Sequence, residues 1–98
     1  MQIIAISEAT GTATLEKAKP HLPEEVRDTI ALYLKDVIRD FYFRSDISGV
    51  VFMMECGSVD EARAELAELK LVKEGIITFN LIPVQPLKPL GILLADAA

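Results

Sequence analysis

The chain has 98 residues, of which 51% are hydrophobic and 26% charged, a composition typical of one folded domain. Its net charge of −5 disfavours nucleic-acid binding, because the ten Lys and Arg residues are scattered and form no basic patch. No apolar run approaches the ~20 residues that a membrane-spanning helix needs, and the N-terminus lacks the pattern of a signal peptide. We therefore expect a cytoplasmic protein with no nucleic-acid or membrane partner.

The first predicted elements are a strand over residues 2–7 (QIIAIS) and a helix that begins at Pro23. Residues 15–22 between them are ambiguous, because the prolines interrupt a segment that has room for one helical turn. In the helix, apolar residues recur at spacings of three and four and predict one buried stripe. The stripe consists of Val26, Ile30, Tyr33, Leu34, Val37 and Ile38.

The middle of the chain predicts a β-hairpin. Residues 40–44 (DFYFR) are aromatic and favour a strand, and residues 45–49 (SDISG) favour a turn. Residues 50–56 (VVFMMEC) then predict a third strand with two apolar faces, which indicates a sheet covered on both sides. Within this run Cys56, the only cysteine, has no partner for a disulfide or a thiolate metal site, and we interpret it as a small buried hydrophobic residue.

The second helix and the last strand follow. Ser58 and Glu61 form a capping box, and the predicted buried stripe of this helix consists of Val59, Ala62, Leu66 and Leu69. A glycine at position 75 is suited to end the helical region, and residues 76–84 (IITFNLIPV) predict a fourth strand.

The element order β-α-β-β-α-β predicts an α+β, ferredoxin-like domain over residues 1–86, in which two helices cover one face of a four-stranded antiparallel sheet. The other face is too apolar to remain in contact with water, so a second copy of the chain, sheet facing sheet, is its simplest cover. The tail, residues 87–98, is also apolar and has no core of its own, and we predict that it packs on a neighbouring subunit.

Three segments carry a resemblance to a known family: FYFR (41–44), GSVDEARAEL (57–66) and LKLVKEGIITFNLIPV (69–84). Over roughly residues 38–86, the chain resembles the muconolactone isomerase family of the dimeric α+β barrel superfamily. The resemblance implies oligomers built from barrel dimers and no metal or organic cofactor. It also implies proton transfer that moves a double bond in a small carboxylated lactone. The family has histidine and polar aromatic residues around the second strand, where this chain has Phe41 and Phe43.

Such a reaction needs a base, an acid and a cation for the substrate carboxylate. Arg44 is the candidate for binding the carboxylate, since its guanidinium can donate two parallel hydrogen bonds; the alternative is an ion pair with Asp46 or between subunits. Tyr42 shares the strand face of Arg44 and could donate a hydrogen bond or simply pack as an aromatic. Glu55 is the candidate base if its face is buried, and otherwise a strand-end carboxylate.

Three further residues complete the candidate site. His21, the only histidine, has an ordinary pKa near neutrality and is a candidate acid–base group, or an exposed loop residue. Tyr33 and Asn80 are candidates for substrate binding through their hydroxyl and amide groups. For each of them, a role in packing or structural hydrogen bonding is the alternative.

Two functional hypotheses follow from these residues. The first is a small cofactor-independent enzyme that resembles muconolactone isomerase and transfers a proton on a small acidic lactone-like or polyketide-like molecule. An oxygenase or cyclase of the same superfamily would use the same cavity. The second is a non-catalytic small-molecule-binding or oligomeric assembly protein whose charges pair at interfaces. An enclosed cavity lined by two or more candidate residues would favour the enzyme.

Overall fold

A computed structural model of the protein describes residues 1–11, 13–87 and 94. The elements in chain order are strand β1 (Gln2–Ala9), helix α1 (Leu15–Ala18), a 3₁₀ turn (Lys19–His21), helix α2 (Leu22–Leu34), strands β2 (Ile38–Phe43) and β3 (Val50–Glu55), helices α3 (Val59–Leu66) and α4 (Lys70–Lys73), and strand β4 (Ile77–Val84). The strands form one antiparallel sheet in the order β2-β3-β1-β4. This arrangement confirms the predicted α+β, ferredoxin-like fold.

The core lies between the helices and one face of the sheet. Alternate residues of β1 point into it, with Ile3 paired to Met54 and Ala5 paired to Phe52 on β3. All four are buried, and the ring of Phe52 stacks on that of Phe79 from β4 at a centroid distance of 5.5 Å. Ala62, Leu66 and Leu69 close this core from the helix side, as the sequence predicts. The predicted single helix is divided, however: α3 ends at Leu66, and Leu69 is the extended N-cap of α4.

The capping box predicted at the start of α3 is present. The Ser58 hydroxyl accepts a hydrogen bond from the backbone N–H of Glu61 at 3.1 Å, and the Glu61 carboxylate accepts one from the N–H of Gly57 at 2.8 Å. Gly75 has a φ of 71° after α4, in the left-handed region that favours glycine. Local sequence signals therefore set both ends of the α3–α4 segment.

Helix α2 differs from its prediction in length and in orientation. It ends at Leu34, because Asp36 adopts a φ of 64° and turns the chain so that Ile38 enters β2 and is fully buried. The prediction of a buried stripe on α2 is wrong: its apolar residues Val26, Ile30, Tyr33 and Leu34 are exposed, and Leu32 is the buried one.

The orientation of α2 follows from its polar contacts. The Glu25 carboxylate faces inward and accepts a hydrogen bond from the backbone N–H of Leu71 at 3.1 Å. Burial raises the pKa of Glu25, and the hydrogen bond from Leu71 acts in the opposite direction. At the helix end, the Lys35 ammonium pairs with Glu65 on α3 at 3.2 Å. Both contacts are formed with the apolar stripe on the outer side of α2.

The ambiguous segment before α2 is helical. The Thr14 hydroxyl accepts a hydrogen bond from the backbone N–H of Lys17 at 3.1 Å and caps α1, and the 3₁₀ turn continues into α2. Most of the tail, residues 88–93 and 95–98, lies outside the described residues, so its packing on a neighbour stays a prediction. Across the described ranges, no helix is long and apolar enough to span a membrane.

Candidate functional site

The second face of the sheet carries no helix among the described residues, and we call it the open face. Its residues alternate with the buried ones along each strand. One row crosses all four strands, since Tyr42 pairs with Val51, Val51 with Ile6, and Ile6 with Asn80. The next row across the sheet consists of Asp40, Met53, Ile4 and Ile82.

The open face has an apolar centre and a polar rim. The centre is formed by Ile4, Ile6, Val51 and Met53, all of which are only half-buried. Tyr42 and Asp40 occupy the β2 edge, and Asn80 occupies the β4 edge. A small ring compound could lie on the centre while its oxygen atoms meet polar groups at the rim.

The spacing of the rim groups decides which of them can share one ligand. Residues two apart on a strand are separated by about 7 Å, so Asp40 and Tyr42 can contact the same small molecule. Glu55 is two residues beyond Met53, the partner of Asp40, which places its Cα about 8 Å from that of Asp40. Asn80 is three strand spacings, about 14 Å, from Tyr42 at the other edge.

Glu55 lies on the same face as Val51 and Met53, as predicted, but it is not desolvated in the single chain. Its side chain is 46% exposed and its carboxylate pairs with the N-terminal amino group of Met1 at 3.0 Å. The burial that would make it a base near neutrality therefore depends on a cover that this chain alone does not provide.

A groove of about 540 Å³ begins at Glu55 and continues between the sheet end and α3. It is lined by Met1, Val37, Glu55, Cys56, Gly57, Glu61, Ala64 and Glu65. Burial raises the pKa of the Cys56 thiol, and the neighbouring carboxylates raise it further. The thiol is therefore a weak nucleophile, in agreement with its interpretation as a small hydrophobic residue. None of the other five candidate residues lines this groove.

Arg44 forms an ion pair within its own loop. Its Nε donates to Asp46 Oδ1 at 2.9 Å and its Nη2 donates to Asp46 Oδ2, so both arms of the guanidinium are engaged. Hydrogen bonds from Arg44 and from the Ile47 backbone lower the pKa of Asp46 to about 2. Of the two alternatives for Arg44, the structure contains the ion pair with Asp46. A substrate carboxylate would have to displace Asp46.

Tyr33 lies on the opposite side of the sheet from Tyr42. Its ring packs edge-on against that of Phe41 at a centroid distance of 5.4 Å, and Phe41 pairs with Phe52 on the helix-covered face. His21 is in the 3₁₀ turn that precedes α2. The pKa of Glu74, after α4, is lowered mainly by a hydrogen bond from Lys70 and also by the charge of His21. Neither Tyr33 nor His21 joins the residues of the open face.

The structure adds Asp40 to the candidate site. It shares the open face with Tyr42, and Asp40 and Glu55 are the two carboxylates that β2 and β3 carry. The period-two alternation of a strand would have found it, since Asp40 precedes Tyr42 by two residues. Across residues 1–11 and 13–87, no group of three or more His, Cys, Asp or Glu side chains is placed to hold a metal ion.

Comparisons with known proteins support the fold. No family model matches the chain, and no curated protein matches it. Among solved structures, the chain is similar to 5-chloro-2-hydroxyhydroquinone dehydrochlorinase from Burkholderia phenoliruptrix AC1100 in complex with 2,5-dihydroxybenzoquinone, with a TM-score of 0.71. The two chains are 15% identical, and the match covers 91% of this chain and 98% of that chain. At this identity, the similarity shows a shared fold.

Proposed function

We propose that the protein is a small enzyme that transfers a proton on a small oxygenated ring compound, such as a lactone or a hydroxylated quinone, bound on the open face of the sheet. The observation that carries this proposal is the half-buried apolar centre of that face, with Tyr42, Asp40 and Glu55 at its rim. Apolar pockets with a few convergent polar groups are typical small-molecule sites.

A second copy of the chain is part of the proposal. Ile4, Ile6, Val51 and Met53 form a continuous apolar surface, and a second sheet would cover it and exclude water from a ligand between the two sheets. The same cover would exclude water from Glu55, so that its carboxylate could act as a general base in a closed site.

The roles follow from the chemistry of a double-bond shift. A carboxylate, Glu55 or Asp40, removes a proton from a carbon next to a carbonyl, and the electron pair moves onto the carbonyl oxygen. The Tyr42 hydroxyl donates a hydrogen bond to that oxygen and stabilises its charge. The protonated carboxyl then returns the proton to another carbon of the conjugated system, so that the double bond moves and no atom is lost.

The comparison and the resemblance support the class of compound. The similar solved structure is a dehydrochlorinase with a bound dihydroxybenzoquinone, a small ring with several oxygen atoms. The segments around residues 41–44 and 57–84 resemble muconolactone isomerase, which suggests a small acidic lactone as the substrate and a reaction without a cofactor. His21 and Tyr33 have no part in the proposed step, and Asn80 is proposed to contact only a ligand that extends to the β4 edge. Arg44 would bind the carboxylate of an acidic substrate only if Asp46 released it.

A binding titration tests the site. The probe is 2,5-dihydroxybenzoquinone, followed by its absorbance, and the variants are Tyr42→Phe and Asp40→Ala. We expect each variant to weaken binding by about 5- to 30-fold, since each removes one hydrogen bond to a ligand worth about 1–2 kcal/mol. Tyr33→Phe is the matched control, because its hydroxyl lies on the other side of the sheet, and it should bind as the parent does. Equal weakening by Tyr33→Phe would contradict the site.

A second measurement separates the enzyme from a binding protein. Small lactones with a carboxylate are incubated with the protein in D₂O, and NMR detects deuterium at carbons next to the carbonyl. Exchange that requires Glu55 or Asp40 supports catalysis. The alternative, a non-catalytic binding or assembly protein, is favoured by the engagement of Arg44 with Asp46 and of Glu55 with Met1. Tight binding without exchange in any compound would establish that alternative.

A further inference from the structure

Helix α2 and strand β2 form a second exposed apolar surface, on the other side of the sheet from the open face. We call it the α2–β2 surface, and it consists of Leu22, Val26, Ile30, Tyr33, Phe41 and Phe43. The ring contact between Tyr33 and Phe41 joins the two elements into one surface. Val26 is 56% exposed, Ile30 is 48% exposed and Phe43 is 88% exposed, so both elements present large apolar side chains to water.

The outward orientation of this stripe is built into the fold. Rotation of α2 about its axis to bury Val26 and Ile30 would remove Glu25 from the backbone N–H of Leu71 and separate Lys35 from Glu65. A carboxylate is thus kept partly buried while apolar side chains remain in water. A partly buried carboxylate and water-exposed apolar side chains both destabilise an isolated chain. A partner that covers the stripe would remove the apolar side chains from water.

We propose that the α2–β2 surface binds the C-terminal segment 88–98 of a second copy of this chain. The proposal does not depend on the proposed function, which concerns the opposite face of the sheet. A sheet-to-sheet dimer would leave the helices on its outside, so that the α2–β2 surface would still need a cover.

The composition of the segment fits this surface. Residues 88–98 include two charged residues, Lys88 and Asp96, and their large apolar residues are Leu90, Ile92, Leu93 and Leu94; Leu87 precedes the segment. Leu87 is 65% exposed and Leu94 is 73% exposed, so neither of these two residues packs into the core of its own chain. The α2–β2 surface and the C-terminal segment are thus both apolar and could bury each other's side chains when two copies associate.

The dimensions also agree. Helix α2 has 13 residues and a length of about 20 Å, and eleven residues in an extended conformation span up to about 36 Å. The segment follows β4 in the chain, whereas α2 packs over β2. These two strands are the opposite edges of the sheet. The segment is thus long enough to leave its own subunit and follow the full stripe of a neighbour.

Disulfide cross-linking of the full chain tests this contact. In a Cys56→Ser background, chains with Ile30→Cys and chains with Leu93→Cys and an affinity tag are unfolded together, refolded and oxidised. We expect a disulfide-linked species with the mass of one tagged and one untagged chain, at least tenfold more abundant than with the matched control Ala67→Cys. Ala67 is exposed at the end of α3, away from the α2–β2 surface.

Other outcomes would overturn the proposal. A disulfide within one chain of the double variant Ile30→Cys, Leu93→Cys would place the segment on its own subunit. Cross-linking of Leu93→Cys to Met53→Cys instead of Ile30→Cys would place it on the open face, and yields no higher than those of Ala67→Cys would exclude a stable contact.

A hydrogen-exchange measurement adds a readout that needs no new cysteine. Amide exchange of the C-terminal peptide should be at least tenfold faster in Ile30→Asp than in the parent, and unchanged in Ala67→Asp. Equal exchange in the parent and in Ile30→Asp would count against the contact. Binding of 2,5-dihydroxybenzoquinone should be the same in Ile30→Asp as in the parent, so failure of this proposal is distinguishable from failure of the proposed function.

Discussion

The helix-covered face of the sheet completely buries Ile3 and Met54, whereas the open face leaves their chain neighbours Ile4 and Met53 half-buried. The side chains on the two faces are chemically similar, and they alternate along the same strands. The difference lies in the cover, because helices α2 and α3 pack on one face and no described element packs on the other. A face that is as apolar as a core but has no cover is a surface for a partner or a ligand.

The largest expected effect comes from truncating the covered face. Met54→Ala should lower the free energy of unfolding by about 2–5 kcal/mol, because it leaves a cavity in a closed core. Met53→Ala should cost less than about 1 kcal/mol in the monomer, since its side chain is already in contact with water. Urea unfolding at a protein concentration that favours the monomer measures both. Equal losses would mean that the two faces are equivalent in the single chain.

Charge on the open face should change association more than folding. The parent is expected to be a dimer or a larger oligomer at micromolar concentration, and Met53→Glu should convert it to a monomer by placing a carboxylate in an apolar interface. Sedimentation measures the mass, and circular dichroism checks that the fold is retained. Ala67→Glu on the outside of α3 is the control. A monomeric parent at that concentration would contradict the expected dimer.

A smaller loss is expected at the polar end of the covered face. Ser7 is buried, and its hydroxyl accepts a hydrogen bond from the backbone N–H of Val50 at 2.8 Å. Ser7→Ala leaves that N–H without its partner and should cost about 1–3 kcal/mol of unfolding free energy. The exposed Ser45→Ala is the control and should change stability by less than about 0.5 kcal/mol. A similar result for both variants would show that the hydrogen bond between Val50 and Ser7 adds nothing to the free energy of unfolding.

The smallest effect concerns the hairpin loop, where Arg44 holds the pKa of Asp46 at about 2, below its ordinary value of 3.8. Because the pKa is lowered on folding, the pair stabilises the fold above about pH 4, and this contribution is lost as the pH falls through about 2. Arg44→Ala should return the Asp46 pKa towards 3.8, as measured by NMR titration of the carboxyl carbon. An unchanged titration would show that Arg44 does not pair with Asp46 in solution.

Local patterns predicted the elements well. The capping box at Ser58 and Glu61 and the turn at Gly75 depend on contacts between residues close in sequence, so the sequence pattern predicts them directly. The apolar stripe on α2 was also recognised correctly as a stripe. The direction in which it points was predicted wrongly, because that direction depends on the distant contact between Glu25 and Leu71.

For the candidate site too, local patterns predicted some features, and others depend on tertiary packing. The alternation of side chains along a strand correctly predicted that Glu55 and Met53 share one face of the sheet. The same rule predicts that Asp40 and Tyr42 share a face, but Asp40 was not among the candidate residues. Single strands could not show that Tyr33 lies on the far side of the sheet from Tyr42, since this depends on where α2 packs. For Arg44 the ion pair with Asp46 was one of two open alternatives, and only the loop geometry distinguished them.

The sequence by itself determined the four strands, the approximate positions of the two main helical regions, the class of fold and the presence of more apolar surface than one chain can bury, because hydrophobic period and turn chemistry act over a few residues. Tertiary structure decided which surfaces remain uncovered and which polar groups share a face. Strand register aligned Tyr42, Val51, Ile6 and Asn80 in one row, and the packing of α2 placed Leu32 and the Glu25 carboxylate inward and its apolar stripe outward. Both results depend on pairings between residues far apart in the chain, which no local pattern contains.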